Sequence, residues 1–159
     1  MTGITTYPII LTDNTTGYLD LVENGDRLKN SNALGLIKGV HKNFQAYDKD
    51  GRLWKVDKVN SSFKVNGLSK FLAYTVYNPK VKVTIEWTKV TDYKLDDLKK
   101  DISKQVDRDD DILTQFEEGE IIKEQVEKCD SFDNIIKALE KYVFKVNEEE
   151  LWKEQESRK

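Results

Sequence analysis

One change of rhythm constrains this chain more than any other feature. Val81, Val83, Ile85 and Trp87 alternate with Lys82, Thr84, Glu86 and Thr88. A period of two places the apolar residues on one face of a strand and the polar ones on the other. After Val90 the period lengthens. Leu95, Leu98, Ile102 and Val106 fall at helical spacing, as do Ile121, Ile122, Val126 and Cys129. Phe132, Ile135, Ile136, Leu139, Tyr142, Val143 and Val146 form a third such stripe. Strands first and helices afterwards predict an α+β fold, with helices packed on an antiparallel sheet. The expected sheet has about five to seven strands over residues 5–90, and about three to four helices cover residues 92–146. Residues 147–159 read as a charged tail, and 159 residues suit a single domain.

The strand half holds one hairpin whose register follows from its faces. Pairing Ala46 with Trp54, and Phe44 with Val56, sets apolar against apolar. Gln45 then faces Lys55, and Asn43 faces Asp57. This register leaves Lys49-Asp50-Gly51 as a three-residue loop, in which Gly51 supplies the positive φ. A two-residue turn would mix the faces. Further strands are expected at Tyr7–Leu11, at Tyr18–Glu23, over Phe71–Tyr77, and from Leu34 through to Tyr47. Asn30-Ser31-Asn32 reads as a loop. Thr91-Asp92 offers an N-cap to the first helix, and Asp130 or Ser131 caps the last.

Composition excludes several classes. Aromatics at 10% are too frequent for a disordered chain. No run approaches the ~18 apolar residues of a membrane span, and Met1–Leu11 lacks the basic region of a signal peptide. A single cysteine, Cys129, makes no internal disulfide, so a reducing, cytoplasmic setting is expected. No phosphate loop, dinucleotide fingerprint or nucleophile elbow occurs. His41 is the only histidine; on the expected register it points to the polar face, as a surface residue without a catalytic companion. Cys129 sits at an apolar position of its stripe and reads as a small buried hydrophobe. Asp48-Lys49-Asp50-Gly51 resembles a calcium loop only superficially: Ala46 and Asp57 stand where its first and twelfth ligands belong. Neither cofactor nor metal is expected, and no catalytic constellation is legible.

Charge is unevenly distributed. Residues 1–90 carry 13 Lys/Arg against 8 Asp/Glu, whereas residues 91–159 carry 13 against 21. The densest acidic stretch holds Asp107, Asp109, Asp110, Asp111, Glu117, Glu118 and Glu120, with Ile112, Leu113 and Phe116 interleaved. It reads either as a solvated helix face or as a docking surface on which carboxylates steer a basic protein and an exposed aromatic anchors it. Phe116 is one such anchor, and Trp152 in the tail is a second.

In size, charge and layout the chain resembles bacterial toxin-immunity proteins. That resemblance implies a non-catalytic inhibitor that occludes a basic partner through an acidic face. Two other functions fit parts of the sequence. An aromatic sheet face with Trp54, Trp87, Tyr74 and Phe71 suits a small-molecule ligand. Lys55, Lys58, Lys64, Lys70, Lys80, Lys82 and Lys89, with Tyr74, Tyr77 and Trp54 among them, suit a single-stranded nucleic acid.

Overall fold

The computed structural model describes residues 3–13, 15–32, 35, 38–61, 67–68, 70, 73, 80–109 and 111–159. Among them, six strands form one sheet: β1 (Ile9–Asp13), β2 (Leu19–Val22), β3 (Asn30–Asn32), β4 (Phe44–Asp48), β5 (Arg52–Ser61) and β6 (Lys80–Asp92). Their order is β2-β1-β4-β5-β6-β3. Four helices follow: α1 (Leu95–Asp107), α2 (Gly119–Glu127), α3 (Phe132–Leu139) and α4 (Glu148–Ser157). A 3-10 turn spans Gly25–Lys29, and a π-helical turn spans Glu140–Phe144. This is the α+β arrangement that the change of period predicts. None of the described helices is long and apolar enough to cross a membrane.

The contacts gather into two compact units. One consists of Met1–Ile9 and Val22–Asp92; the other consists of Ile10–Leu21 and Tyr93–Lys159. In the first, or sheet unit, the alternation of β6 holds: Val81, Val83 and Trp87 are buried, while Lys82, Thr84 and Thr88 are exposed. The β4–β5 register is the expected one, with Ala46 opposite Trp54 and Gln45 opposite Lys55. Gly51 closes the loop at φ 83°, a conformation that costs glycine nothing. A buried carboxylate holds this hairpin from inside. Asp48 Oδ1 accepts the backbone N–H groups of Asp50 and Arg52, and Oδ2 accepts the indole N–H of Trp54 at 2.8 Å. The Arg52 guanidinium pairs with Asp48, Asp50 and Thr6, so the charge buried at Asp48 is matched.

Three local expectations are corrected here. Asn30-Ser31-Asn32 is not a loop but β3, paired antiparallel with Lys82, Val81 and Lys80. A short polar strand has no hydrophobic alternation to betray it and exists only through its partner. The strand that should run into Tyr47 begins only at Phe44, after turns in which Gly39 O and His41 O accept the N–H groups of Lys42 and Phe44. His41 therefore lies in a turn rather than on a strand, and it is 8% exposed, edge-on to the Phe44 ring at 5.7 Å. Leu34, Leu36, Ile37 and the Phe71–Tyr77 run lie outside the described residues, except for a buried Ala73.

The second, or helical, unit combines the β1–β2 hairpin segment with the four helices. Asp13 Oδ1 organises the hairpin turn by accepting from Thr15 N, Thr15 Oγ1 and Thr16 N. Gly17 then passes so close to the end of α1 that a Cβ there would stand 2.4 Å from the carbonyl oxygen of Arg108. A fully buried Gln105 ties the hairpin to α1: its Oε1 accepts Tyr18 N–H, and its Nε2 donates to Asp101, which also accepts from Thr12 Oγ1. Thr91 and Asp92 do not cap α1; they end β6. The N-cap is Lys94, whose N–H donates to the carboxylate of Asp97. Ser131 caps α3 through Asn134 N–H, as expected. Leu98, Ile102, Val106, Ile122, Val126, Ile135 and Leu139 form the core of this unit, and each fully buried aliphatic contributes roughly 1.5–3 kcal/mol. The charged tail is α4. Leu151, 2% exposed, anchors it, and Tyr142 Oη donates to Glu154.

Candidate functional site

The acidic stretch from Asp107 to Glu120 is not one helix face. α1 stops at Asp107 and α2 starts at Gly119, so an irregular loop lies between them. Within it the carboxylates have different duties. Asp107 and Glu120 both reach Lys123 Nζ at 2.6 Å, clamping the end of α1 to the start of α2. Asp109 faces inward on its own loop. One of its oxygens accepts Leu113 N–H at 2.8 Å and Thr114 N–H at 3.1 Å, and the other accepts Ile112 N–H at 3.2 Å. This is the chemistry of a helix N-cap applied to a loop. Asp111 takes φ 66°, a left-handed conformation that aspartate tolerates better than most residues, and it is exposed. Asp110 lies outside the described residues.

The apolar members of the stretch divide as well. Leu113 is buried, Phe116 is half-buried, and Ile112 is 76% exposed. The Phe116 carbonyl accepts Gln155 Nε2 at 2.9 Å, which fastens α4 to the loop. Next to it, Glu117 is buried. Its Oε1 accepts Glu118 N–H, and its Oε2 accepts Arg158 Nη2 at 2.6 Å. Burial pushes its carboxyl upward, but Arg158, Glu118 N–H and Gln155 outweigh this and hold it below the usual glutamate value. Phe116, Glu117, Ile121, Gln155 and Arg158 help to line an open cleft of about 520 Å3. Glu118 is the exposed N-cap of α2. Trp152 is 61% exposed on α4, one residue from the buried Leu151.

Of the nine residues singled out in the sequence, the eight that are described fall into distinct groups. Asp107, Asp111, Glu118, Glu120 and Trp152 face solvent, Asp109 and Glu117 hold the architecture, and Phe116 is half-covered. Ile112 escapes sequence reasoning as the exposed apolar residue. Its neighbours Leu113 and Phe116 look equivalent on paper, and only the path of the loop tells them apart. Among the described residues the arrangement brings together carboxylates and apolar groups, with no nucleophile beside a base.

Cys129 is half-buried rather than buried as its stripe predicts; its Sγ donates to Gln125 O, and partial burial pushes its thiol pKa upward. Trp54 and Trp87 are packed into the core, and Phe71, Tyr74 and Tyr77 lie outside the described residues. In the sheet unit the exposed large hydrophobics that are described, Val40, Leu68 and Val90, include no aromatic on which a base would stack. Comparison with family models, curated proteins and solved structures gives no match.

Proposed function

We propose that this protein is a non-catalytic binding protein of the inhibitor or toxin-immunity kind, and that its helical unit docks a basic protein target. The observation that carries the reading is Ile112: a large aliphatic side chain held out in water on a loop whose backbone Asp109 pins by three N–H bonds. A preordered anchor loses little conformational freedom on binding. Asp107, Asp111, Glu118 and Glu120 surround it in sequence and are exposed, which supplies the field that speeds encounter with a cationic surface. Trp152 is the second anchor, of the residue type most enriched at binding hot spots. Inhibition would follow from steric cover of the target's active site. A cytoplasmic setting accords with the single, unpaired thiol of Cys129.

The test is capture from the native cell at low salt, with wild type beside an Ile112→Ser/Trp152→Ser variant. A basic protein recovered at near-equal stoichiometry by wild type, lost by the variant and released by raised salt, supports the reading. Identical captures by both proteins would refute it.

A further inference from the structure

In the sheet unit the outer edge of β6 is only partly paired among the described residues. β6 has 13 residues, and β3 pairs with only three of them, Lys80, Val81 and Lys82. Since β3 is the last strand of the sheet, the edge from Val83 onward bears no strand among the described residues. Before Asn30 the chain leaves the ladder through the 3-10 turn Gly25–Lys29. A groove of about 700 Å3 lies there, lined by Lys82, Val83, Thr84, Ile85 and Trp87 and, across from them, by the 3-10 turn with Ile4 and Tyr7. Successive side chains of a strand point to opposite faces. A groove that touches four consecutive residues therefore runs along the strand's edge, where main-chain groups lie, rather than over a face.

We propose that this groove takes an extended acidic peptide, added antiparallel to β6 along the track that β3 abandons. Lys82 to Trp87 spans roughly 17 Å at about 3.3 Å per residue, which suits a segment of five or six residues. Main-chain bonds to the edge of β6 give affinity, and alternate apolar side chains of the peptide enter the groove. The sign of the peptide's charge follows from its host. The sheet unit holds 13 Lys/Arg against 7 Asp/Glu; at the groove Lys29 is paired with Asp26, which also lines it, and the exposed Lys82 supplies the positive charge beyond that pair.

The probe is an array of hexapeptides alternating Glu with Val, Ile, Leu or Phe, printed beside counterparts with Lys in place of Glu. The full chain is applied to both sets. Retention by the Glu set alone is expected, with affinity for the best peptide falling at least tenfold when its alternate main-chain nitrogens are methylated. A Lys29→Glu/Lys82→Glu variant should lose the Glu set. Three results would overturn the proposal: no Glu peptide retained, equal retention of both sets, or unchanged binding after methylation. The last would identify a side-chain or small-molecule site in place of strand addition.

Discussion

A carboxylate that already accepts three backbone N–H groups has little left to offer a partner's lysine. Asp109 is in that position, and its contribution belongs to stability. Replacing it with Ala should cost about 1–2 kcal/mol, the range for losing a helix cap, whereas Asp111→Ala should leave the melting temperature nearly unchanged. Thermal unfolding of the two variants side by side checks this. Two titrating groups add pH dependence. Glu117 is held below its ordinary value of 4.5, so its contribution is complete above that value and is lost as pH falls through the folded pKa. Glu117→Gln should be less stable than wild type at neutral pH, and the gap should close in acid. His41 is held below its ordinary 6.5 by burial. The unfolded chain takes up that proton first, so stability present above 6.5 should decline as pH drops from there toward the folded value. A His41→Gln variant should lack that part of the decline in urea titrations between pH 7.5 and 5. Neither role was legible in the sequence. Burial of His41 comes from a turn that local pattern does not announce, and Glu117 finds its partner 41 residues away.

At the scale of elements, the stripes that repeat were readable and the contacts that do not repeat were not. α1 buries Leu98, Ile102 and Val106 of the stripe its spacing selects, with Leu95 half-buried; α3 buries Phe132, Ile135, Ile136 and Leu139; and β6 alternates except at Ile85 and Glu86, both half-buried. The tail was harder. Leu151 and Trp152 stand alone among charges, with no stripe to define a face, yet Leu151 is buried in α4. Leu151→Ala should therefore destabilise the protein by about 2–5 kcal/mol, as for other buried leucines, whereas Trp152→Ala should cost far less. Chemical denaturation distinguishes the two. The acidic loop was unreadable for a related reason: without helical periodicity, nothing assigns Ile112, Leu113 and Phe116 to inside or outside. Gly17 makes a comparable point. Gly17→Ala should cost about 1–3 kcal/mol, because the backbone of Arg108 stands where the new methyl group would go and cannot move aside as a side chain would.

For the whole molecule, assigning the hairpin segment to the helical unit sharpens the charge asymmetry already visible in the sequence. The sheet unit holds 13 basic and 7 acidic residues, and the helical unit 13 and 22. On the two proposals made above, opposite signs on separate units suit opposite partners, a cationic protein for one and an acidic segment for the other. Association with a basic target should slow steeply as salt rises from 10 to 150 mM, conditions under which the Debye length falls from about 30 to 8 Å. Stopped-flow association rates over that range measure it. Ile112→Ser should instead leave the salt slope intact and raise the dissociation rate, since it removes an anchor and no charge.

The membership of residues 10–21 in the helical unit also sets a timetable. Tyr18 waits for Gln105 and Thr12 for Asp101, partners that emerge from the ribosome 87 and 89 residues later. At about 5–20 residues per second, that is a delay of several seconds or more. Throughout it Ile10, Leu11, Leu19 and Leu21, all buried in the finished protein, have no helix to lie against. Within this unit the earliest-made segment therefore completes its contacts only after α1 has been made.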